Sequence, residues 1–349
     1  MRVLKLCGIG AILTVVAVGS SGPSGLAQGC SVTLSSTSSL LQAIENASPG
    51  AVICLGAGLW REGVLTLTKS LTLRGSGRDQ TRLQASLHTE IKRDQELSLT
   101  IEALTLERPP GDGLLLFGRA RAALTAVTIL RAGDDGIDLN QQAQATLRDV
   151  QVLESGDAGV ELWGQSRLEM QQGVISGNSN GVELFSEAQA RLGPDVQIRA
   201  NYRRGVFVDD KAQLQLVGAV ISENSWAGIS VRYEARATLE NTQVQRNRLD
   251  GIFLFDKAQL ILLRTAIVGN GTAELCRQKE ALCTGVTLQD EAQLEARDSQ
   301  IRENTDWGIA GVLRRCGYEE DDFKGRVSVS NTVVSGNNRA GNHSGETCY

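Results

Sequence analysis

A glycine, followed in every case but Gly341 by a β-branched or other apolar residue, returns along this chain at Gly113, Gly136, Gly159, Gly181, Gly205, Gly228, Gly251, Gly285, Gly308 and Gly341. The steps are 23, 23, 22, 24, 23, 23, 34, 23 and 33 residues, a period of 23 broken by two insertions. A unit this short cannot bury an apolar face of its own. It must stack on its neighbours, so the chain is read as a solenoid. Its 349 residues then need not divide into two domains, because a solenoid grows along one axis.

Inside each unit the residues after the glycine alternate, as in Ile137 and Leu139, Val160 and Leu162, or Ile229 and Val231. Period two marks a strand. Leu147, Met170, Leu192 and Leu216 mark a second strand, and Val152, Ile175, Ile198 and Ile221 end a third. Three short strands fill 23 residues and leave no room for a helix of ten, which excludes leucine-rich and helical repeats. After the third strand comes one asparagine per unit: Asn178, Asn201, Asn224, Asn247, Asn270, Asn304 and Asn337. Their amides are expected to bond from unit to unit and to occupy the left-handed backbone of a sharp corner.

On this repeat and this asparagine the chain resembles the pectin lyase-like superfamily. The resemblance implies an all-β, single-stranded right-handed parallel β-helix of ~23 residues per coil. It covers nearly all of the mature chain, and its hand agrees with the rule for parallel crossovers. Such proteins include lyases, hydrolases, epimerases and adhesins, so the fold alone leaves the activity open.

The ends and the cysteines bear on compartment. Met1 to Lys5 followed by an apolar run from Leu6 to Val18 reads as a secretory signal over residues 1–27, and the run is too short to span a bilayer. The expectation is therefore one domain over 28–349, secreted or periplasmic, with no membrane span after signal removal. Its cap is 28–60 and its coils are 61–345. Ser39 before Leu40, Leu41 and Ile44 predicts a short capping helix in that cap. Loss of Cys7 with the signal leaves six cysteines, an even number that suggests disulfides in an exported chain. Proximity in sequence suggests Cys30 with Cys54, Cys276 with Cys283 in the insertion at 271–284, and Cys316 with Cys348 tying the insertion at 314–325 to the C-terminus. Loss of Arg2 and Lys5 takes the formal charge from −5 to −7, which argues against a nucleic-acid partner.

Chemistry is sought on the outward positions of the strand after the glycine. The second residue gives Asp138, Glu161, Glu183, Phe207, Ser230, Phe253 and Thr287; the fourth gives Asn140, Trp163, Phe185, Asp209, Arg232, Phe255 and Gln289. Carboxylates stacked about 4.8 Å apart repel unless a cation or proton intervenes, so Asp135, Asp138, Glu161 and Glu183 form a candidate Ca²⁺ site. Trp163, Phe185, Phe207, Phe253 and Phe255 are candidate sugar platforms. Likeness to pectate lyases adds a candidate catalytic pair, Asp138 with Arg232, Arg204 being the other arginine considered. Asp134-Asp135-Gly136-Ile137-Asp138 resembles the paired aspartates of polygalacturonases, yet no Gly-His-Gly accompanies it and the histidines are His88 and His343. The Asp-Pro-His sequence of mannuronan epimerases is absent, and a copper role lacks imidazole and thioether ligands beyond the core residue Met170. Three functions remain: binding of an extracellular or envelope polysaccharide along this face, Ca²⁺-assisted polysaccharide lysis by β-elimination, or a structural, adhesive solenoid. A solvated acidic face with no role is the bland alternative.

Overall fold

A computed structural model describes residues 29–92, 95–272, 274–277, 283–337 and 346–349. The expected signal sequence, Gly341, His343 and residues 273 and 278–282 of the insertion at 271–284 lie outside the described residues. Each coil contributes three strands, and every strand pairs in parallel with its equivalent one coil away. The first strands run from Leu114–Leu116 and Ile137–Leu139 through Val206–Val208 and Ile229–Val231 to Ile309–Gly311 and Thr347–Cys348. Second and third strands are fused in Arg119–Leu130, Gln144–Leu153 and Arg167–Ser176, and separate afterwards, as in Gln213–Val217 and Val220–Ser222. The bend between them is a residue with φ near +50°, such as Asp149, Gln172, Asn241 and Asp298. That strain recurs in coil after coil, and the packing it permits outweighs it.

The inward positions stack like on like. Ile137, Val160, Val182, Val206 and Ile229 lie in register and have no exposed surface. The recurring glycine is set by space. A Cβ at Gly159 would lie 2.7 Å from Gly181 O and 2.8 Å from Asn178 Nδ2, and at Gly228 it would lie 2.6 Å from Asn247 Nδ2. A side chain there would push the coils apart.

The asparagine column is a continuous ladder. Each Nδ2 donates to the Oδ1 of the next coil's asparagine, at 3.1 Å for Asn178 to Asn201 and 2.9 Å for Asn201 to Asn224 and Asn224 to Asn247. Each Oδ1 also accepts the backbone N–H of the preceding rung, and all but Asn337 are fully buried. The left-handed backbone expected at these asparagines falls one residue earlier, at Ala200, Glu223, Arg246 and Glu303, with Gly177, Gly269 and Gly336 elsewhere. The kink must precede the asparagine so that its amide can turn inward while the kinked side chain faces solvent.

The N-terminal helix spans Leu40–Asn46, with Ser39 Oγ accepting from Gln42 N at 3.2 Å and Leu40 and Ile44 buried on the open coil. The parallel ladder already starts beneath it, where Val32–Leu34 pairs with Ala51–Leu55. All three disulfides form as paired above: Cys30–Cys54, Cys276–Cys283 and Cys316–Cys348. At the other end the 314–325 insertion folds back: Trp307 Nε1 donates to Cys316 O at 2.9 Å and Phe323 packs on Gly311.

Candidate functional site

The three-residue first strands place one side chain per coil on a common outward column. Register pairs Asp138 with Glu161, Glu161 with Glu183, Glu183 with Phe207, Phe207 with Ser230 and Ser230 with Phe253. These positions were expected to be exposed; the structure largely buries them. Glu183 is 9% exposed, Phe207 7% and Ser230 1%. The cover comes from the residues that flank each short strand. Asn180 Nδ2 donates to Glu183 Oε1 at 2.7 Å, Asn140 Nδ2 donates to Asp138 Oδ2 at 2.8 Å, and the Arg204 and Arg232 guanidiniums lie 4.8 and 4.9 Å from the Phe207 ring centre. A solvated face is therefore the wrong description of this column.

One end of the column is acidic. Oxygens of Asp135, Asp138 and Glu161 lie within 4.8 Å of one another, as do those of Asp112, Asp134 and Asp135. Asp135 Oδ1 accepts Ala158 N at 2.7 Å and Asp112 Oδ1 accepts Asp135 N at 3.2 Å, so these aspartates also tie the corner that precedes the strand. Burial, then the charge of Glu161, pushes Asp135 up to about 8 and both Asp138 and Glu183 up to about 7. Burial likewise raises Asp112 and Glu161. Asp138 Oδ1 is buried and has no hydrogen-bond partner among the described residues. The donors are all hard oxygens, which fits Ca²⁺ and does not fit copper. Met170 is in the core, 1% exposed.

The middle of the column is aromatic and cationic. Trp163 and Phe185 stack at 4.2 Å with 14° between planes, and Phe185 meets Phe207 edge-on at 5.9 Å. Arg204 donates through Nε to Ser230 Oγ at 3.1 Å and lies 4.9 Å from the Trp226 ring; burial lowers its pKa, with Glu183 opposing. Arg232 is held by Asp209 Oδ2 at 2.5 Å, which raises its pKa. The proposed sugar platforms divide into two groups, because Phe253 and Phe255 form their own edge-on pair at 4.1 Å beyond Ser230. Asp138 and Arg232 are not brought together. Four rungs separate their coils, about 19 Å along the axis, too far for both to act on one sugar.

Apart from Asp134, Asp135 and Arg204, sequence reasoning missed the corner before each strand. Two residues ahead of the glycine it supplies Asp134, Asp157, Arg203 and Trp226. With Tyr202 and Tyr233 these add exposed aromatics beside the column, and Arg203 lies 5.6 Å from the Trp226 ring. Reading columns at the period of 23 before the glycine, as well as after it, would have exposed them. His88 was set aside for lack of flanking glycines, yet it pairs in register with Leu115, one rung before Asp138. Its Nε2 is buried without a partner among the described residues.

Two sequence families match parts of the chain: "Right handed beta helix region" over residues 191–348 and "Periplasmic copper-binding protein (NosD)" over 93–261. No characterised protein matches by sequence. Among solved structures the chain is similar to the mannuronan C-5 epimerase AlgE4 A-module of Azotobacter vinelandii, at 15% identity and TM-score 0.57, covering 85% of this chain and 92% of that one. It is similar to the catalytic unit of the GH87 α-1,3-glucanase of Streptomyces thermodiastaticus, at 11% identity and TM-score 0.59, covering 95% and 71%. It is also similar to the periplasmic alginate epimerase AlgG, at 12% identity and TM-score 0.55, covering 87% and 84%. These likenesses bear on the fold.

Proposed function

We propose that this right-handed parallel β-helix of the pectin lyase-like superfamily binds an extracellular or cell-envelope polysaccharide along its first-strand face. The observation that carries the reading is the run Trp163–Phe185–Phe207 in successive coils, flanked by Arg203, Arg204 and Arg232. The exposed Trp163 and the half-buried Phe185, backed by the buried Phe207, offer an apolar platform to a sugar, and the guanidiniums offer donors to hydroxyls and carboxylates. Neighbours named for alginate and α-1,3-glucan support a polysaccharide as the ligand class. The three disulfides support a secreted or periplasmic setting, with residues 1–27 as the export signal.

The acidic end supports a second reading, Ca²⁺-assisted lysis. Asp135, Asp138 and Glu161 would hold the ion, which would supply positive charge to a uronate carboxylate. In that case Arg204, set between Glu183 and Ser230, replaces Arg232 as the arginine that faces the sugar.

One experiment separates the readings. Purified mature protein is titrated with a panel of polysaccharides, with Ca²⁺ and with chelator, while ultraviolet absorbance follows unsaturated product. Binding without product, weakened at least tenfold by Trp163→Ala with Phe185→Ala, supports the binding module. A Ca²⁺-dependent absorbance rise supports the lyase. No binding and no product across the panel leaves the structural solenoid.

A further inference from the structure

The outer side of the second strands carries a column of different chemistry. Every rung from Arg121 to Arg326 is glutamine or arginine: Arg121, Arg167, Arg236 and Arg326, with glutamine on each rung between them. No carboxylate interrupts it, in a chain of net charge −5. Several arginines elsewhere are matched by acids on or beside their rung, as in Arg74 with Glu102, Arg131 with Glu154 and Arg246 with Glu223. Within this column Arg121 alone meets an acid, Glu96 at 3.5 Å. Arg167, Arg236 and Arg326 are exposed, and their guanidiniums make no hydrogen bond or ion pair with any described residue.

The column floors an open groove of about 610 Å³, where Arg167, Gln189, Gln213 and Arg236 meet a rim of Glu187, Lys211 and Glu234. Gln165 Nε2 donates to Glu187 Oε2 at 2.9 Å, so one oxygen of that carboxylate already has a partner. Arg167 and Arg236 stand three rungs apart, roughly 14 Å along the axis, with amide side chains at each rung between. A glutamine amide donates and accepts at once, which suits hydroxyls and ring oxygens; a guanidinium takes a carboxylate through two parallel bonds.

We propose that this groove is a second binding track, for an acidic polysaccharide that places carboxylates on Arg167 and Arg236 and hydroxyls on the glutamines between. It lies on a different strand column from the aromatic face and does not depend on that face binding anything. The groove has no aromatic platform, so recognition is polar and weakens with salt.

The test uses the full mature chain and fluorescently labelled galacturonate oligomers, followed by anisotropy at low and at physiological ionic strength. Arg167→Gln with Arg236→Gln should weaken binding at least fivefold at low salt and flatten the salt dependence. Glu187→Gln with Glu234→Gln should tighten it. Both pairs are at the surface, and unchanged far-ultraviolet circular dichroism checks the fold. Unchanged affinity in the arginine pair overturns the proposal. So does equal binding of neutral glucose oligomers, or tighter binding of single-stranded DNA of equal length. Trp163→Ala with Phe185→Ala separates the two faces. If that pair alone abolishes binding, the aromatic face stands and the second track falls; if it leaves the salt-dependent component intact, the second track stands whatever the aromatic face does.

Discussion

The asparagine corner and the acidic end of the first-strand face obey the same rule of construction, one polar side chain per coil stacked on its equivalent, and end in opposite electrostatic states. An amide carries a donor and an acceptor, so Asn201, Asn224 and Asn247 satisfy one another and the backbone around them. A carboxylate only accepts. Asp138 stacked on Glu161, with Asp135 alongside, leaves a buried oxygen without a donor, and burial, then the charge of Glu161, lifts Asp135 and Asp138 to about 8 and 7. A solenoid amplifies whatever its column holds: self-complementary groups become a seam, and groups of one sign become a site that wants a proton, a cation or a ligand.

The largest expected effect comes from breaking the seam. Asn224→Ala orphans Asn201 N and takes one bond each from Asn201 Nδ2, Ile198 O and Asn247 Oδ1, all buried, and should cost about 3 kcal/mol in denaturant unfolding. Asn224→Asp turns the seam locally into the acidic end. Its deficit against wild type should be larger at pH 8 than at pH 4, where the protonated acid regains a donor.

Next, the acidic end can be made more like the seam. The native pKa values of Asp135, Asp138 and Glu183 lie above the ordinary values of 3.8 and 4.5, so the folded state holds extra protons between about pH 4 and 8. Their stabilising contribution is complete below about pH 4 and is lost as pH rises through 7 to 8. Thermal unfolding in chelator should therefore fall in midpoint over that window. Asp135→Asn with Glu161→Gln should flatten the slope and gain roughly 2 kcal/mol at pH 8. Millimolar Ca²⁺ should raise the wild-type midpoint at pH 8 and leave the variant unmoved.

The smallest effect extends the seam. Ser155 takes the ladder position one rung before Asn178: its N–H donates to Asn178 Oδ1 at 2.9 Å, while its own Oγ is buried without a partner among the described residues. Ser155→Asn should add a rung and about 1 kcal/mol in the same unfolding assay. A loss of stability there would show that the corner needs the smaller side chain.

Most of the fold was legible because a repeat prints its register directly: the strands and the asparagine ladder follow from spacing, the capping helix from Ser39 and the apolar residues after it, and the three disulfide pairs were suggested by proximity in sequence. The left-handed residue was misplaced by one position, since asparagine's tolerance for that backbone is a general preference and the ladder's need for an inward amide overrides it. The site was legible as columns but not as contacts. Trp163, Phe185 and Phe207 emerged as neighbours, whereas Tyr202, Arg203 and Trp226 lay in a corner that alternation does not mark.

What the sequence by itself determined is therefore periodic: which residues share a column, and in what order the columns stack, because each coil repeats at a nearly constant length. What only the tertiary structure decided is how far each column is removed from water, and which side chain from a neighbouring column reaches it. Burial turned a row of acids into groups that titrate near neutrality. Desolvation and distance between columns depend on how the coils close around the axis, and no single column contains that information.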